Sequence, residues 1–377
     1  MDFSGILAKL GAWLLSLHTA LGGVFILPVS IQMVTDPAVF DVGGGSYAIV
    51  WVTSKRGTGW VTFSSGGTDY TVYEQSSGTI KSDDTIHVVK VPKAKLDNNS
   101  YSVHSQYTFL NFAYFSIKGK TVDSSTYNFR GYSGQDEIKA LTFSDIHGLY
   151  ADSFIVAKML VDKPDLVLLP GDITLDWLLV KQTFVDEVLN TAAVLSESSC
   201  PVVYARGNHE TRGAFATEVK KYFPTNTGEL YFTTNYGPIS MLVLDTGEDK
   251  VDTDPEYGGL ANFEAYRAQQ YEWMTNLQKD VSQDYQYRMT IAHIPTIDNH
   301  FGTDWIAPMK NNLDINFMVS GHTDPNAIWR NVTDFPIFVD GGRTGSEFRG
   351  SMITFKDGKY LCKSINKVGK VFVNEYA

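Results

Sequence analysis

The sequence contains very little cysteine: Cys200 and Cys362 are the only two among 377 residues, and neither belongs to a CxxC pair. This excludes a zinc site built from thiolates and argues against a disulfide framework. Cys200 opens the apolar run CPVVYA, which is typical of a small buried side chain and not of a reactive thiol.

An excess of positive charge is also missing, since 31 Lys and Arg stand against 42 Asp and Glu and give a formal net charge of −11. Binding to polymeric nucleic acid without sequence preference needs a basic surface and is not expected. The negative net charge does not exclude a small phosphorylated substrate, because bound metal ions can reverse the sign of the local electrostatic field. No feature of the sequence indicates an oligomeric state.

A long hydrophobic run occurs at the start of the chain, in residues 1–31. It is long enough for a membrane span of about 20 residues and also fits a signal-peptide core. The flanks fit neither well, because Asp2 cancels Lys9 and no A-x-A cleavage site follows. Because of the length and hydrophobicity of this run, we nevertheless predict a secreted or membrane-anchored protein. The alternative is a cytoplasmic protein with this helix docked on its folded body.

Residues 32–132 are predicted to form a β-sandwich. Short alternating segments such as YAIVWVTS and TIHVVKVP are separated by clusters of Gly, Asn, Asp and Ser, which is the pattern of an all-β domain. No group of His, Asp or Cys that suggests a site is present there. The polar segment 130–137 predicts a boundary.

From residue 138 to 377 the pattern changes to buried strands alternating with helices, which predicts a layered α/β domain. Five of its strands end in polar residues able to bind metal: FSDIHG, LPGDIT, ARGNHE, IAHIP and SGHTD. Because ligands bind beyond the carboxyl ends of strands in open α/β sheets, these segments should meet in one crevice.

Carboxylates mixed with imidazoles suit Mn, Fe or Zn. Two such ions, about 3.5–4 Å apart, can clamp a phosphoryl group and generate hydroxide near neutral pH. Asp172 is the best candidate for a shared carboxylate, since Gly171 allows close approach. Taken singly, Asp172 and Asn208 would more often cap helices, and His293 would more often be an ordinary buried histidine. The complete set at five strand ends favours a metal site.

The motif order D-x-H, G-D, G-N-H-[DE], a strand-end His and G-H-x-H resembles that of the calcineurin-like metallophosphoesterases, over residues 138–324. With a β-sandwich in front, the chain is similar in architecture to the purple acid phosphatases, whose N-terminal domain is fibronectin-III-like. The resemblance implies an αββα sandwich for residues 138–377. It also implies a phosphatase or phosphodiesterase that attacks phosphate esters with a metal-bound hydroxide.

The resemblance also implies roles for individual residues. Asp172 bridges two divalent ions and is catalytic, and His209 acts above the substrate as a proton donor or phosphate contact, while Asn208 also lies against the substrate. The implied metal ligands are Asp145, His147 and Asp172 at the first site and Asp172, Asn208, His293 and His322 at the second.

Two positions depart from the family pattern. Asp324 stands where the last motif has a histidine ligand of the first metal; as a ligand it adds a carboxylate and favours harder ions, and as the alternative it turns away and caps the Pro325 turn. Leu175 stands where purple acid phosphatases have the tyrosine that binds ferric iron. The sequence therefore predicts no ferric-tyrosinate chromophore.

Further candidates surround these motifs. Arg212 could bind a substrate phosphate bidentately or be an exposed arginine at a helix start. Trp177 could line a substrate pocket, and Asp298 and His300 could lie on its rim. Arg343 in GGRTGS is more consistent with a simple turn than with a place in the crevice.

Three hypotheses for function follow. The first is a phosphomonoesterase or phosphodiesterase. The second is a nuclease or nucleotide hydrolase of the same superfamily, for which the net acidity disfavours polymeric substrates. The third is a catalytically weakened surface-binding protein that has lost one metal, for which Asp324 is the single supporting feature.

Overall fold

The computed structural model describes residues 3–20, 25–112, 115–297 and 304–377. Strands occupy most of the region where the sequence predicts β-structure. They are β1 (Phe25–Ile26), β2 (Ala38–Asp41), β3 (Ser46–Ser65), β4 (Thr68–Tyr73), β5 (Gln75–Ser76), β6 (Thr79–Ile80), β7 (Asp84–Pro92), β8 (Ser100–Phe112), β9 (Phe115–Asp123) and β10 (Tyr127–Asn128). The short helix α2 (Lys93–Leu96) separates β7 from β8.

The long strand β3 organises this region. Residues 46–57 of β3 pair with β2 and β7, and residues 57–65 pair with β4 and β8. The register shifts between Val52 and Gly57. Apolar side chains from both halves, including Trp51 and Val61, are buried in one cluster, so alternating Val, Ile and aromatic residues face a common interior. The likeness to a fibronectin III domain stays a prediction.

The N-terminal strands are continuous with the sheet that follows them. Phe40 of β2 pairs in parallel with Val202, and the other face of β2 and β3 shares a buried cluster with the second region, including Val50 and Leu169. The sequence predicts a boundary at 130–137, and no strand or helix crosses that segment. The two regions nevertheless bury part of their apolar surface against each other.

Residues 138–377 contain the predicted alternation of strands and helices. The strands are β11 (Ile138–Thr142), β12 (Leu166–Leu169), β13 (Val202–Tyr204), β14 (Phe232–Tyr236), β15 (Ile239–Val243), β16 (Tyr287–Ile291), β17 (Phe317–Ser320), β18 (Ala327–Trp329), β19 (Ile337–Val339), β20 (Arg343–Thr344), β21 (Glu347–Lys356), β22 (Lys359–Asn366) and β23 (Val371–Tyr376). The helices are α3 (Tyr150–Leu160), α4 (Lys181–Thr183), α5 (Asn190–Ser196), α6 (Phe263–Thr275) and α7 (Ile306–Leu313).

These elements form four layers. One sheet runs in the order β2-β13-β12-β11-β21-β22-β23, and the other in the order β14-β15-β16-β17-β19-β18. Their facing sides share one core, to which Leu168 and Ile291 both contribute. Helices α3 and α5 cover the outer face of the first sheet, and α6 and α7 cover the outer face of the second. The buried faces therefore form an αββα sandwich.

After β13, the segment Ala216–Tyr222 is a 3-10 helix and not one of the α-helices. The helix between β12 and β13 contains a π-helical segment, Phe184–Leu189, between α4 and α5. The antiparallel strands β21 to β23 were not predicted, since the sequence there shows neither a strand-end motif nor a strict alternation.

The apolar N-terminal segment forms helix α1 (Phe3–Ala20). Its large side chains are exposed, with Leu7 at 56% and Trp13 at 60%. A helix docked on the folded body would bury one apolar face, whereas these side chains of α1 face solvent; the role of residues 1–31 stays a prediction. None of the helices within the described ranges has the length and hydrophobicity needed to span a membrane.

Candidate metal centre

The polar residues that follow five strands lie together, as the sequence predicts. Asp145 and His147 follow β11, Asp172 follows β12, Asn208 and His209 follow β13, and single histidines follow β16 and β17. All five strands are parallel neighbours within their two sheets. Their carboxyl ends therefore open onto the same edge of the sandwich.

Two glycines allow the β12 and β13 loops to meet. A Cβ on Gly171 would collide with the backbone of Gly207, and a Cβ on Gly207 would collide with Asp172. Gly171 also has a φ of +84°, which side chains other than hydrogen disfavour. The absence of side chains at these two positions brings Asp172 next to Asn208.

Several side chains of the site stand on strained backbone. Asp145, His147, Asp172 and His322 have φ values of 48°, 42°, 52° and 70°, in the left-handed region that residues other than glycine rarely adopt. Each such residue costs about 1–3 kcal/mol and persists where surrounding structure imposes it, commonly at functional sites. Holding these four side chains in the cluster therefore lowers the stability of the fold.

Asp172 is the centre of the cluster and is 2% exposed. Its Oδ2 lies 3.1 Å from Nε2 of His293, 3.7 Å from Nε2 of His147 and 3.7 Å from Nε2 of His209. A single carboxylate oxygen thus faces three imidazole nitrogens. Ligand atoms of His147, Asp172 and His209 form one group within 4.8 Å, and those of Asp172, His293 and His322 form another.

Asn208 connects the second group. Its Oδ1 lies 3.0 Å from Nε2 of His293 and 3.1 Å from Nδ1 of His322. Asp145 lies beside the first group, with its Oδ1 3.6 Å from Nε2 of His147. The other oxygen of Asp145 accepts hydrogen bonds from the His322 backbone N–H (2.8 Å) and the Ser144 hydroxyl (2.6 Å).

The outward-facing nitrogens of two histidines fix their orientation. Nδ1 of His147 donates to the carbonyl oxygen of Thr174 (3.0 Å), and Nδ1 of His293 donates to that of Pro170 (2.7 Å). This leaves Nε2 of each ring facing Asp172. Metal-binding histidines are commonly oriented in this way by a hydrogen bond from the second nitrogen. The donor set therefore fits divalent metal ions.

The carboxylates of the cluster shift the pKa values of two of its histidines. Burial alone would lower the pKa of His293, but the adjacent Asp172 carboxylate outweighs it and raises that pKa to about 10. Burial is likewise outweighed at His147, where Asp145 and Asp172 raise the pKa to about 9. Without metal, both rings therefore carry a proton at neutral pH and neutralise the carboxylates.

These two pKa values predict pH-dependent metal binding. Metal ions need neutral imidazoles, so binding must release the protons of His147 and His293. Mn²⁺ affinity should rise with pH below pH 9, by about tenfold per pH unit for each proton released. Calorimetry in buffers of different ionisation enthalpy between pH 6 and 8 counts these protons. Affinity independent of pH would contradict this account of the site.

Glu210, the last residue of the GNHE motif, is a functional residue that the sequence analysis missed. It is fully buried, and its two oxygens accept backbone N–H groups from Asp172 (2.9 Å), Thr174 (2.8 Å) and Gly207 (2.9 Å). Glu210 therefore ties the β12 loop to the β13 loop. The acidic residue after a G-N-H motif was the available sequence signal.

Replacing Glu210 by glutamine should destabilise the fold by about 2 kcal/mol, because the amide nitrogen leaves at least one buried N–H without an acceptor. Urea unfolding of the metal-free protein measures this change. Glu272→Gln, an exposed position on α6, is the matched control. Equal unfolding free energies for Glu210→Gln and the control would show that Glu210 does not hold the loops.

Asp324 is not in either group of ligand atoms. Its side chain accepts a hydrogen bond from the Thr344 hydroxyl at 2.9 Å and is exposed. Burial of part of the carboxyl, and then the charge of Asp145, raise its pKa despite that bond. Asp324 therefore lies near the first group but points to Thr344.

Arg212 is paired with two glutamates. Its guanidinium donates two hydrogen bonds to Glu248, at 2.7 and 2.8 Å, and lies 3.0 Å from Glu256. The predicted bidentate contact between Arg212 and a substrate phosphate therefore stays a prediction, for which the guanidinium would have to exchange these carboxylates for the phosphate.

Two residues lie closer to the site than the sequence suggested. Arg343 donates from its side chain to the carbonyl oxygen of His147 (3.0 Å), so it lies beside the crevice and not in a remote turn. Asp249, which carried no sequence signal, has its Oδ2 3.7 Å from Nε2 of His322. Asp298 and His300, the predicted rim residues, lie outside the described residues.

Four layers of helices and strands thus bring together, at the strand ends, carboxylates and imidazoles that could hold metal ions. The family model of the calcineurin-like phosphoesterases matches residues 138–325, which include every predicted ligand. The α/β region of this chain therefore belongs to the calcineurin-like phosphoesterases, and the protein is a metal-dependent phosphoric ester hydrolase.

Solved structures extend the comparison. The structure of PhoD aligns with a TM-score of 0.50 at 12% identity, over 91% of this chain and 93% of that one. A dimetal phosphatase from Danio rerio aligns at 0.44 and 12% identity, over 64% of this chain and 99% of that one. A predicted phosphoesterase from Streptococcus pneumoniae gives 0.33 and 12%, over 65% and 98%. No curated protein matches the chain.

Proposed function

We propose that the chain binds two divalent metal ions and hydrolyses esters of small phosphorylated molecules. The observation that carries this proposal is the position of Asp172, whose Oδ2 lies within 3.1–3.7 Å of three histidine nitrogens. One carboxylate common to two groups of ligand atoms suits a bridging ligand. Mn, Fe or Zn fit the mixed oxygen and nitrogen donors.

When bound, two such ions would generate a nucleophile from water near neutral pH and offset the charge of the phosphate. The residues of the chain supply the geometry. Asp172, held by the Glu210 network, fixes the separation of the two groups, and Asn208 positions His293 and His322. His209 is partly exposed at 26% and can give a proton to a leaving alkoxide.

The charge balance supports a small substrate. The formal net charge is −11, and Arg212 is neutralised by Glu248 and Glu256. A long polyanion would meet repulsion outside the metal centre. Nucleotides remain possible substrates, because their phosphates can be held at the metal centre alone.

A hydrolysis assay tests the proposal. The protein is stripped of metal, reloaded with Mn²⁺ and given 4-nitrophenyl phosphate or bis(4-nitrophenyl) phosphate. Release of 4-nitrophenolate from either ester, dependent on the metal, is expected, and the faster ester identifies a monoesterase or a diesterase. No release from either ester at any metal concentration would overturn the proposed activity.

The competing proposal of a catalytically weakened protein rests on Asp324. Its bond to Thr344 favours a first metal site with one ligand fewer than the family pattern. We expect Asp324→His to keep or raise the affinity for the second equivalent of Mn²⁺, measured by calorimetry. A sharp loss of affinity would show that the site depends on the carboxylate.

The cellular location is proposed from the N-terminal segment. An exposed apolar helix, α1, supports secretion or attachment to a membrane through residues 1–31. Partition of the full chain with sedimenting lipid vesicles, compared with a Trp13→Asp variant, tests attachment. Full recovery of both proteins in the supernatant would exclude attachment to the membrane.

A further inference from the structure

A cavity lies next to the metal centre. It has a volume of about 570 Å³ and is lined largely by aromatic and aliphatic side chains, among them Trp177, Leu179, Tyr257, Leu260 and Phe263. Pockets that bind small organic molecules usually measure about 300–1,000 Å³ and have such linings. The cavity is therefore large enough for an organic group.

Two chain segments join this cavity to the metal centre. His209 and Thr211 belong to the same 3-10 turn, and Arg212 donates its backbone N–H to the His209 carbonyl; both Thr211 and Arg212 line the cavity. On the opposite side, Glu248 lines it and the next residue, Asp249, approaches His322. The lining residue Thr211 is thus only two positions along the chain from His209.

The charged residues of the lining are paired with each other. Of the described lining residues, the charged ones are Arg212, Glu248 and Glu256. Arg212 contacts both glutamates, Glu248 also accepts the Thr211 hydroxyl at 2.7 Å, and Glu256 also pairs with Lys250. Neither a second phosphate nor an ammonium group would find an uncompensated partner there.

The apolar part of the lining is left open to solvent. Trp177 is 50% exposed, Leu179 55% and Leu260 93%. These three residues come from two different loops, one after β12 and one after β15. Contiguous exposed apolar side chains beside a catalytic centre commonly mark a binding surface for an apolar ligand.

We propose that this cavity, which we call the Trp177 pocket, binds an uncharged apolar group esterified to the phosphate of the substrate. The preferred substrates are then phosphate esters with an alkyl or aryl chain, not esters with a second phosphate. This inference rests on the proposed phosphoesterase function and adds its substrate class. Burial of the chain against Trp177, Leu179 and Leu260 supplies the selectivity, at most about fourfold per methylene group.

The test compares chain lengths in two matched series below their micelle concentrations. Ethyl, butyl and octyl phosphates are followed by phosphate release, and the corresponding alkyl 4-nitrophenyl diesters by 4-nitrophenolate release. Within each series the alcohols have similar acidity, so differences report binding. We expect kcat/KM for octyl to exceed that for ethyl by at least about tenfold in the series that the enzyme hydrolyses. Equal values for all chain lengths would overturn the pocket.

Two variants locate the selectivity. Trp177→Ala removes a large apolar side chain from the lining, and Leu179→Glu places a charge there. Each variant should bring the ratio of kcat/KM for octyl to that for ethyl esters towards one. Trp13→Ala, at a tryptophan on α1 that is also at least half exposed, is the control and should keep the wild-type ratio. An unchanged ratio in both pocket variants would assign the preference elsewhere and contradict the proposal.

Binding of non-hydrolysable alkylphosphonates separates this inference from the proposed activity. Metal-loaded protein should bind octylphosphonate at least about tenfold more tightly than ethylphosphonate in calorimetry, and Trp177→Ala should lose that difference. Such binding without hydrolysis of any ester would retain the pocket and reject the activity. Hydrolysis together with equal affinity for both phosphonates would reject the pocket and retain the activity.

Discussion

Asp172→Asn is expected to lower kcat by about 10³-fold or more, a loss of roughly 4 kcal/mol of transition-state stabilisation. The substitution keeps the shape of the side chain but removes the charge that faces three imidazole nitrogens at 3.1–3.7 Å. With only a neutral oxygen between the two groups of ligand atoms, at least one metal ion should be lost. Steady-state kinetics with the better nitrophenyl ester, together with metal content, measures both effects.

Asp176→Asn is the matched control for this variant. Asp176 lies four residues further along the same loop and is exposed, so its substitution removes an equal charge without touching the cluster. Wild-type kinetics are expected for the control. Turnover by Asp172→Asn within tenfold of wild type would refute the bridging role of Asp172.

His209→Asn is expected to lower kcat by about 10²–10³-fold while both metal ions stay bound, because a positioned proton donor contributes about that much. Its effect should be larger for alkyl than for 4-nitrophenyl esters, since the poorer leaving group needs the proton more. Comparing the two leaving groups in wild type and variant isolates this contribution.

The position of His209 makes the metal content of this variant decisive. Its Nε2 lies 3.7 Å from Asp172 and its ring lies 4.6 Å from that of His147. Its Nδ1 is buried and has no hydrogen-bond partner among the described residues. These distances also allow His209 to ligate a metal, which differs from the role that the family resemblance implies. Loss of one ion from His209→Asn would show that it is a ligand and not the proton donor.

Much of the site could be predicted from sequence because its residues follow apolar strands directly. In a parallel arrangement the ends of such strands meet, so Asp145, Asp172 and His293 could be placed together without coordinates. The left-handed backbone at Asp145 and Asp172 could not be predicted, since it is imposed by contacts between loops distant in sequence.

The partners of Arg212 and Asp324 could not be predicted, for one physical reason. The long side chain of Arg212 and the exposed side chain of Asp324 could each reach several partners. Which partner each one contacts depends on the loops that pack nearby. Glu248 and Thr344, which hold them, are 36 and 20 residues away along the chain. The pairing of β2 with β13, which joins the N-terminal strands to the α/β sheet, is unpredictable for the same reason.

Metal stoichiometry tests the central claim most directly. Protein freed of metal, reloaded with excess Mn²⁺ and passed through a desalting column should retain close to two ions per chain by mass spectrometry, and Asp172→Asn should retain one or fewer. Wild-type protein that retains no ion with Mn²⁺, Zn²⁺ or Fe²⁺ would contradict the assignment of a metal centre to these strand ends.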